Sequence, residues 1–367
     1  MKNRNWLLLF LVATTIIPFV SCTKDPNTAY LGNWITQHLT AFGGVPRSNA
    51  CAFVIGDTVY VGLGQDADNH VLDDWWKWGV YGSTWLQVDS MRGANKLVLP
   101  GRESAVAFSI GDSLGYVGTG SGLQNFPFYN DFYSYNPKTN KWTTLENFPG
   151  SARSGCVGFG IGKVGIVGAG FDLFYHNDFY KYDPNPNLPA GSHWTKKPIS
   201  VGDNRVDGGV FIIGSKAYIL TGGNGTSLCI DMVIYDSNID KFRVSDTSIT
   251  NTSVTATHFN SDYTNIARQG ACLFAINGKG YVTWGLDNSS SLSIAGITWE
   301  YDPSDGLWTR KTTFPTNSNV NSLGAFGIGV SVPGSGKAFI GTGEYTASHL
   351  IDNFYEFLPE TEYIPGD

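Results

Sequence analysis

Short apolar runs separated by tight turns follow one another along almost the whole chain after residue 30. The run at positions 50–55 ends at Gly56-Asp57, and the run at positions 273–276 ends at Asn277-Gly278. Apolar runs of four to eight residues between such turns are typical of buried strands, and Asn-Gly is a strong hairpin signal. The hydrophobic pattern therefore predicts an all-β protein built from antiparallel hairpins.

A longer repeat is superimposed on this succession of apolar runs and tight turns. A glycine pair is followed by an acidic or amide residue, by an aromatic residue four positions later, and usually by a tryptophan. The clearest copy has Gly118-Thr119-Gly120, then Asp131-Phe132-Tyr133-Ser134-Tyr135, then Trp142. Self-similarity at a period of about 50 residues is the signature of a repeat architecture. Four antiparallel strands per copy correspond to one blade of a β-propeller.

Six copies of this unit occur, and their glycine signals are at Gly62, Gly118, Gly168, Gly222, Gly285 and Gly341. The glycine doublet with its spaced tyrosine and tryptophan resembles the kelch repeat, over nearly everything after residue 30. The resemblance implies a six-bladed kelch-type β-propeller of the galactose oxidase/kelch-like superfamily. The fifth copy departs most, because it has one glycine of the doublet and no acidic residue at the start of its third strand.

The sixth copy has no tryptophan strand between its aromatic Phe357 and Asp367. Near the other end of the sequence, Gly32-Asn33 reads as a turn and Trp34 begins an apolar strand. We expect residues 31–40 to supply the outer strand of the last blade. Such closure removes the open sheet edges that would otherwise pair with other chains.

The first 22 residues resemble the signal peptide of a bacterial lipoprotein of Bacteroidetes type. Lys2 and Arg4 precede an apolar stretch at positions 6–20, and Phe19-Val20-Ser21-Cys22 resembles a lipobox. The resemblance implies lipidation of Cys22, a tether at 23–30 and a propeller at 31–367. It also implies an outer-membrane lipoprotein, on the periplasmic side or at the cell surface. The alternative is an N-terminal transmembrane anchor, for which the stretch is short.

The composition of the chain narrows the kinds of molecule and ion that it can bind. The net charge is −7 with 15% charged residues, so no basic stripe exists to bind nucleic acid. Cys51, Cys156, Cys229 and Cys272 show no disulfide spacing, and we expect all four to be free thiols. Six histidines occur singly, and the calcium-like run at 66–69 is incomplete. We therefore expect a monomer without metal or cofactor.

The two faces of the ring differ in their loops. Turns between strands one and two, and between strands three and four, are mostly short, whereas strand two to three and inter-blade connections are long. Long loops held by a scaffold usually carry function, so the long-loop face is the candidate binding surface. The N-terminal strand starts on the short-turn face. We therefore expect the lipid to hold that face toward the membrane and the long loops to face away.

An arginine stands at the start of the innermost strand in each of the first five copies: Arg47, Arg102, Arg153, Arg205 and Arg268. At the channel mouth these guanidiniums could hold a carboxylate, phosphate or sulfated sugar. Alternatively, each pairs with a neighbouring carboxylate or carbonyl and ties the blades together. Glu103 and Asp207 are candidate partners or acid/base groups.

The long loops add aromatic, amide, acidic and histidine side chains, namely Asp66, Asp68, Asn69, His70, Asn125, Phe126, Phe128, Tyr129, Phe171, Asp172, Phe174, Tyr175, His176, Glu344, Tyr345 and His349. Such a surface suits sugars and protein partners equally. The leading hypothesis is a noncatalytic, membrane-anchored propeller that binds a glycan or a partner protein, with Tyr129, His176 and Tyr345 among its binding residues. The alternative is a sugar-modifying enzyme similar to the N-acetylneuraminate epimerases. Its arginines would hold the sugar carboxylate, and Glu103 or His176 would carry a proton.

Overall fold

Strands and turns, with no α-helix, make up the part of the chain that the structure describes. The computed structural model describes residues 30–36, 39–123, 126–198, 202–245, 266–287, 296–315, 324–346, 349–365 and 367. The strands in chain order are β1 (Leu31–Ile35), β2 (Cys51–Ile55), β3 (Thr58–Gly62), β4 (Trp75–Gly79), β5 (Leu86–Val88), β6 (Val106–Ile110), β7 (Leu114–Gly118), β8 (Phe132–Asn136), β9 (Lys141–Thr144), β10 (Val157–Ile161), β11 (Val164–Gly168), β12 (Phe179–Tyr182), β13 (Trp194–Lys196), β14 (Gly209–Ile213), β15 (Lys216–Leu220), β16 (Val233–Asp236), β17 (Lys241–Val244), β18 (Cys272–Ile276), β19 (Lys279–Thr283), β20 (Ile297–Asp302), β21 (Leu307–Thr313), β22 (Ile328–Val332), β23 (Lys337–Gly341), β24 (Glu344–Thr346), β25 (His349–Leu350) and β26 (Phe354–Glu362).

These strands form six four-stranded antiparallel sheets within the described residues, one for each repeat. Blades one to five use consecutive strands, from β2–β5 in the first to β18–β21 in the fifth. The first strands of neighbouring blades contact each other around the whole circle, and β22 returns to β2. The predicted six-bladed, all-β propeller is therefore confirmed, and β24 and β25 form a small extra hairpin within the long loop of the sixth blade.

The sixth blade closes the ring with the N-terminal strand, as the sequence predicted. Its strand order is β22-β23-β26-β1, and β1 runs antiparallel to β26 with Trp34 opposite Phe357. The Asn33 amide donates to an Asp367 carboxylate oxygen at 2.7 Å, and the Thr36 backbone amide donates to the Asp367 carbonyl at 2.8 Å. The two chain ends are thus held in one blade.

Packing between neighbouring blades forms the core, which is rich in aromatic rings. Phe53 of the first blade lies against Tyr135 of the second, with ring centroids 6.2 Å apart. A Cβ on Gly115 would lie 2.4 Å from the Phe53 ring, so glycine at that position lets the blades approach. The same arrangement recurs where Gly165 meets Phe108 and Gly280 meets Phe211. Repeated small residues therefore receive the repeated phenylalanines.

Other sequence expectations have mixed outcomes. Cys51, Cys156, Cys229 and Cys272 are free thiols, as predicted. No helix in the described ranges is long and apolar enough to span a membrane. The leader, Cys22, the tether up to residue 29, Asn125 and positions 246–265 lie outside the described residues. The domain boundaries stay predictions.

Candidate functional site at the channel mouth

The five arginines lie in buried hydrogen-bond networks inside the blades. Arg47, Arg102, Arg153 and Arg205 pair with the acidic residue that precedes the third strand of the same blade, which is Asp74, Asp131, Asp178 or Asp231. The Arg47–Asp74 pair is bidentate, with N–O distances of 2.6 and 3.0 Å. In the fifth blade the Arg268 guanidinium donates instead to the Ile297 carbonyl at 3.1 Å. All five arginines are buried.

Each guanidinium also donates to the backbone beside the repeat's glycine. The Nη1 atom contacts a carbonyl 16 or 17 residues later, at Leu63, Thr119, Ala169, Thr221 or Trp284. Burial alone would raise the pKa of Asp74, but the hydrogen bonds and charge of Arg47 hold it below the usual value. This geometry supports the structural role of the arginines, but their side chains join strands within one blade and not one blade to the next, because their donors are directed at their own blades.

Three predicted binding residues lie beside these networks or in the loops. The Tyr129 ring stacks on the Arg102 guanidinium, whose carbon lies 4.1 Å from the ring centroid. His176 Nε2 lies 2.7 Å from an Asp172 carboxylate oxygen. Tyr345 packs against the ring of His349 at 5.1 Å. None of the three lines the central cavity described below.

A closed ring of backbone hydrogen bonds surrounds the channel at its mouth. It joins the residue two positions after each arginine, and the matching Phe326 of the sixth blade. Each amide donates to the carbonyl of the preceding blade at 2.8–3.2 Å: Asn49 to Phe326, Ser104 to Asn49, Gly155 to Ser104, Asp207 to Gly155, Gly270 to Asp207 and Phe326 to Gly270. We call these six residues the collar. All six have φ between 51° and 62°, in the left-handed region.

A second ring links the repeat's glycines to the arginine positions. One glycine of each glycine signal donates its amide to the backbone carbonyl of the arginine, or of Gly324, in the next blade. These pairs are Gly64 to Arg102, Gly120 to Arg153, Gly170 to Arg205, Gly222 to Arg268, Gly285 to Gly324 and Gly343 to Arg47, at 2.7–2.9 Å. The glycine signal of one blade and the arginine position of the next are therefore parts of one inter-blade joint.

A cavity of about 470 Å³ opens at the collar on the long-loop face. Its lining is polar apart from one aromatic ring and consists of Asn49, Gln65, Asn69, Glu103, Ser104, Asp207 and Phe326. Its size falls within the range of roughly 300–1,000 Å³ found for small-molecule sites. Just below the collar, a space of about 140 Å³ is walled by small residues such as Ala50, Ala105 and Cys156.

The mouth carries acidic groups whose pKa values are raised. Burial, then the charges of Asp207 and Glu344, raise the pKa of Glu103 to about 7. Burial raises the pKa of Asp207 to about 6, although the Gln269 side chain donates to it at 2.8 Å. Burial also raises the pKa of Glu344, against a hydrogen bond from Ser48. A carboxyl group with a pKa near neutrality can accept or donate a proton under ordinary conditions.

One group in the described ranges has the proximity of metal ligands, and it lies on the first-blade loop. The ligand atoms of Asp66, Asp68 and His70 lie within 4.8 Å of one another. Asp66 Oδ1 already accepts the backbone amides of Asp68 and His70, and its Oδ2 lies 3.1 Å from His70 Nδ1. These contacts hold an exposed loop in one conformation. They explain, without a metal ion, why the three side chains lie close together.

The sequence pointed to Glu103 and Asp207 at the mouth but missed several of their neighbours. Asn49, Gln65, Ser104 and Phe326 line the same cavity. A signal existed for two of them, because Asn49 and Ser104 stand two positions after an arginine, where the third to fifth copies have glycine or aspartate. Glycine, asparagine and aspartate are the residues that adopt positive φ most readily.

Comparison with known proteins supports the fold. No known protein family matches the sequence, and a search of curated proteins likewise finds no match. Among solved structures, that of YjhT is similar, with a TM-score of 0.64 and 16% sequence identity, over 86% of this chain and 95% of that chain. At this identity the likeness extends to the architecture alone. The chain is a six-bladed β-propeller.

Proposed function

We propose that this propeller is a carbohydrate-binding protein whose sugar site is the channel-mouth cavity on the long-loop face. The observation that carries the proposal is the lining of that cavity, where carboxylates, amides and a hydroxyl surround one aromatic ring. Carboxylate and amide groups can pair with adjacent sugar hydroxyls, because they offer two acceptors or a donor and an acceptor in one plane. Phe326 offers an apolar surface to a sugar ring.

Aromatic side chains beside the mouth provide room for a longer glycan. Phe128 lies 5.3 Å from Phe126 and 6.3 Å from Phe171, and Phe171 lies 4.9 Å from Tyr175. We call these four residues the aromatic ridge. Phe171 pairs with Ser154, the neighbour of the collar residue Gly155, so the ridge approaches the collar. Phe126 is 59% exposed and available for stacking.

The charges at the mouth favour a neutral or cationic ligand over an acidic one. Glu103, Asp207 and Glu344 interact there, whereas the five arginines are buried and bonded within their blades. An anionic sugar would meet carboxylates of like charge. A ligand with hydroxyl groups meets acceptors that burial has already removed from water.

Glycan-array screening of the full-length protein tests the proposal, followed by titration of each hit against an Asp207→Asn, Phe326→Ala variant. We expect glycan binding that the double variant loses. Binding that survives unchanged would move the site away from the mouth. An array without hits, combined with specific capture of a protein, would favour a partner protein as the ligand.

A sugar-modifying activity is the second candidate, and the pKa of Glu103 favours it. A carboxyl group with a pKa of about 7 can exchange a proton with a sugar near neutral pH. His176 is less suited, because it does not line the mouth cavity. Mutarotation of sialic acid, and of an uncharged sugar that binds in the array, followed by NMR distinguishes the two functions. A rate equal to that of the buffer leaves binding as the function.

Membrane anchoring through a lipid on Cys22 belongs to the same proposal. The supporting observation is the direction of β1, which begins with Leu31 opposite Glu362, at the end of β26 far from the mouth. An anchor ahead of this strand would place the short-turn face nearest the membrane. Metabolic labelling with a fatty acid tests the anchor. We expect label on the protein and none on a Cys22→Ser variant.

A further inference from the structure

Three carboxylates from alternate blades lie at the mouth, and the charges of two of them act on the third. Glu103 belongs to the second blade, Asp207 to the fourth and Glu344 to the sixth. Glu103 lies between Arg102, which belongs to the second ring, and the collar residue Ser104. Glu344 follows Gly343 of the second ring, and Asp207 is itself a collar residue. The charges of Asp207 and Glu344 both act on Glu103. Negative charge is thus distributed around the axis rather than along one loop.

Of the three carboxylates, Glu103 has the fewest hydrogen-bond donors and cations among the described residues to balance its charge. It is 7% exposed and lines the mouth cavity. No described residue donates a hydrogen bond to its carboxylate or forms an ion pair with it, whereas Asp207 accepts from Gln269 and Glu344 from Ser48. A buried carboxylate without a donor is costly, so a group that supplies one from the cavity gains correspondingly.

The nearby cations do not meet this need. Arg102, the neighbour of Glu103 in sequence, directs its guanidinium at Asp131 and the Thr119 carbonyl. Arg47 and Arg205 are committed in the same way to Asp74 and Asp231. The groups that shift the pKa of Glu103, apart from burial itself, are both carboxylates. In the described part of the chain no cation pairs with Glu103, so a cationic ligand in the cavity can take that position.

A metal ion fits this arrangement poorly. The described residues contain one set of three His, Cys, Asp or Glu side chains whose ligand atoms lie within 4.8 Å of one another, and it is the first-blade loop, not the mouth. Glu103, Asp207 and Glu344 do not form such a set of three. A cavity of about 470 Å³ instead leaves room for an organic molecule that reaches more than one of them.

We infer that the channel mouth selects ligands that carry an ammonium group. Given the sugar site proposed above, on which this step rests, the ligand class is an amino sugar with a free amine. An ammonium group has three donors and no acceptor, which matches carboxylates that only accept. It bonds Glu103, while Asn49, Gln65 and Ser104 line the space for the sugar hydroxyls, and the hydrogen bonds that the structure describes for their side chains are long, at 3.3–3.5 Å. Acetylation of the amine removes the charge, so an N-acetylated sugar lacks the group that Glu103 requires.

Isothermal titration of the full-length protein at pH 7.5 tests this selection with three probes. The first is the glucosamine disaccharide with free amines, the second is its N,N′-diacetylated form, and the third is putrescine, a diamine without a sugar. We expect the free-amine disaccharide to bind at least tenfold more tightly than the diacetylated one. Glu103→Gln should reduce that ratio to about one, and Glu344→Gln should lower it. Glu362→Gln, on the exposed outer end of β26, should leave it unchanged.

The outcomes separate the amine preference from the sugar-binding function. Equal affinity for the two disaccharides would overturn the amine preference and leave the sugar site standing. Binding of putrescine without either sugar would support the ammonium preference and overturn the sugar-binding function. No binding of any probe would overturn both. Thermal unfolding of each variant, measured alongside, shows that a lost signal reflects the mouth and not an unfolded protein.

Discussion

At the scale of single residues, buried arginines act as internal ties. Each guanidinium joins the start of the first strand to the glycine signal and, in four blades, to the acid before the third strand. Removing one partner of a buried ion pair leaves the other charge uncompensated in a poorly solvated site. The arginines therefore matter for stability more than for ligand contact.

We expect Arg102→Ala to lower the free energy of unfolding by about 3–5 kcal/mol, because Asp131 loses its cationic partner and the Thr119 carbonyl loses its donor. Urea denaturation measures the change. Arg92→Ala is the matched control, since its pair with Asp89 is partly exposed, and it should leave the midpoint nearly unchanged. Equal effects of the two substitutions would contradict the tying role.

The raised pKa of Glu103 makes a prediction about pH. Folding raises its pKa from an ordinary 4.5 to about 7, so the folded protein holds this proton more tightly than the unfolded chain. Stability from this group is fully present below pH 4.5 and is lost as the pH rises to 7. Glu103→Gln removes that loss. We expect the variant to be more stable than the parent by about 1–2 kcal/mol at pH 8, with a smaller gain at pH 5, measured by urea denaturation.

At the scale of the element, β1 is the strand that closes the ring. Trp34 is buried and lies between the fifth and sixth blades, with ring centroids 5.1 Å from Phe314 and 4.6 Å from Phe357. Its indole nitrogen donates to the Thr298 hydroxyl at 3.3 Å. One side chain of this short strand therefore fills a joint between two blades.

We expect Trp34→Ala to cost about 3–5 kcal/mol, the usual range for truncating a buried aromatic residue. Deletion of residues 31–40 should lower the melting temperature of the entire ring in one transition, because an open sixth blade exposes both neighbours. Differential scanning calorimetry records both effects. Leu31→Ala, at an exposed position of the same strand, should have little effect. A deletion variant that melts like the parent would refute the closure.

The blades could be predicted from the sequence because the glycine and aromatic residues of the repeat occupy fixed positions on the strands. The aromatic residues Tyr135 and Trp142 are cross-strand partners in the second blade, as are Tyr301 and Trp308 in the fifth. Their spacing therefore reports the hairpin directly. Trp34 was identifiable for the same reason, since it fills a position that the sixth copy lacks.

The chemistry of the mouth was harder to predict from the sequence. An arginine at the start of a strand looks the same whether it binds a ligand or an internal carboxylate, and its partners here stand 25 to 29 residues further along. The collar also has no shared side chain, since its backbone conformation accommodates Asn49, Gly155 and Phe326 alike. Which side chains meet at the mouth depends on the ring being closed.

At the scale of the whole molecule, two closed rings of backbone hydrogen bonds fix six blades around one cavity. The rigid collar holds acceptors from separate blades in place, which reduces the entropy lost when a ligand binds. The long loops around it, including the aromatic ridge, are free to differ between copies without disturbing the joint. The architecture therefore suits a site built at the mouth.

A crystal structure of the full-length protein with the tightest-binding glycan from the array tests the central claim most directly. We expect a sugar residue to be bound in the mouth cavity, with its hydroxyl or amine groups hydrogen-bonded to Glu103 and Asp207 and its ring packed against Phe326. A glycan bound on the outer edge of a blade, or in the cavity on the short-turn face that Gly56, Gly111 and Gly162 line, with the mouth left to solvent, would contradict it.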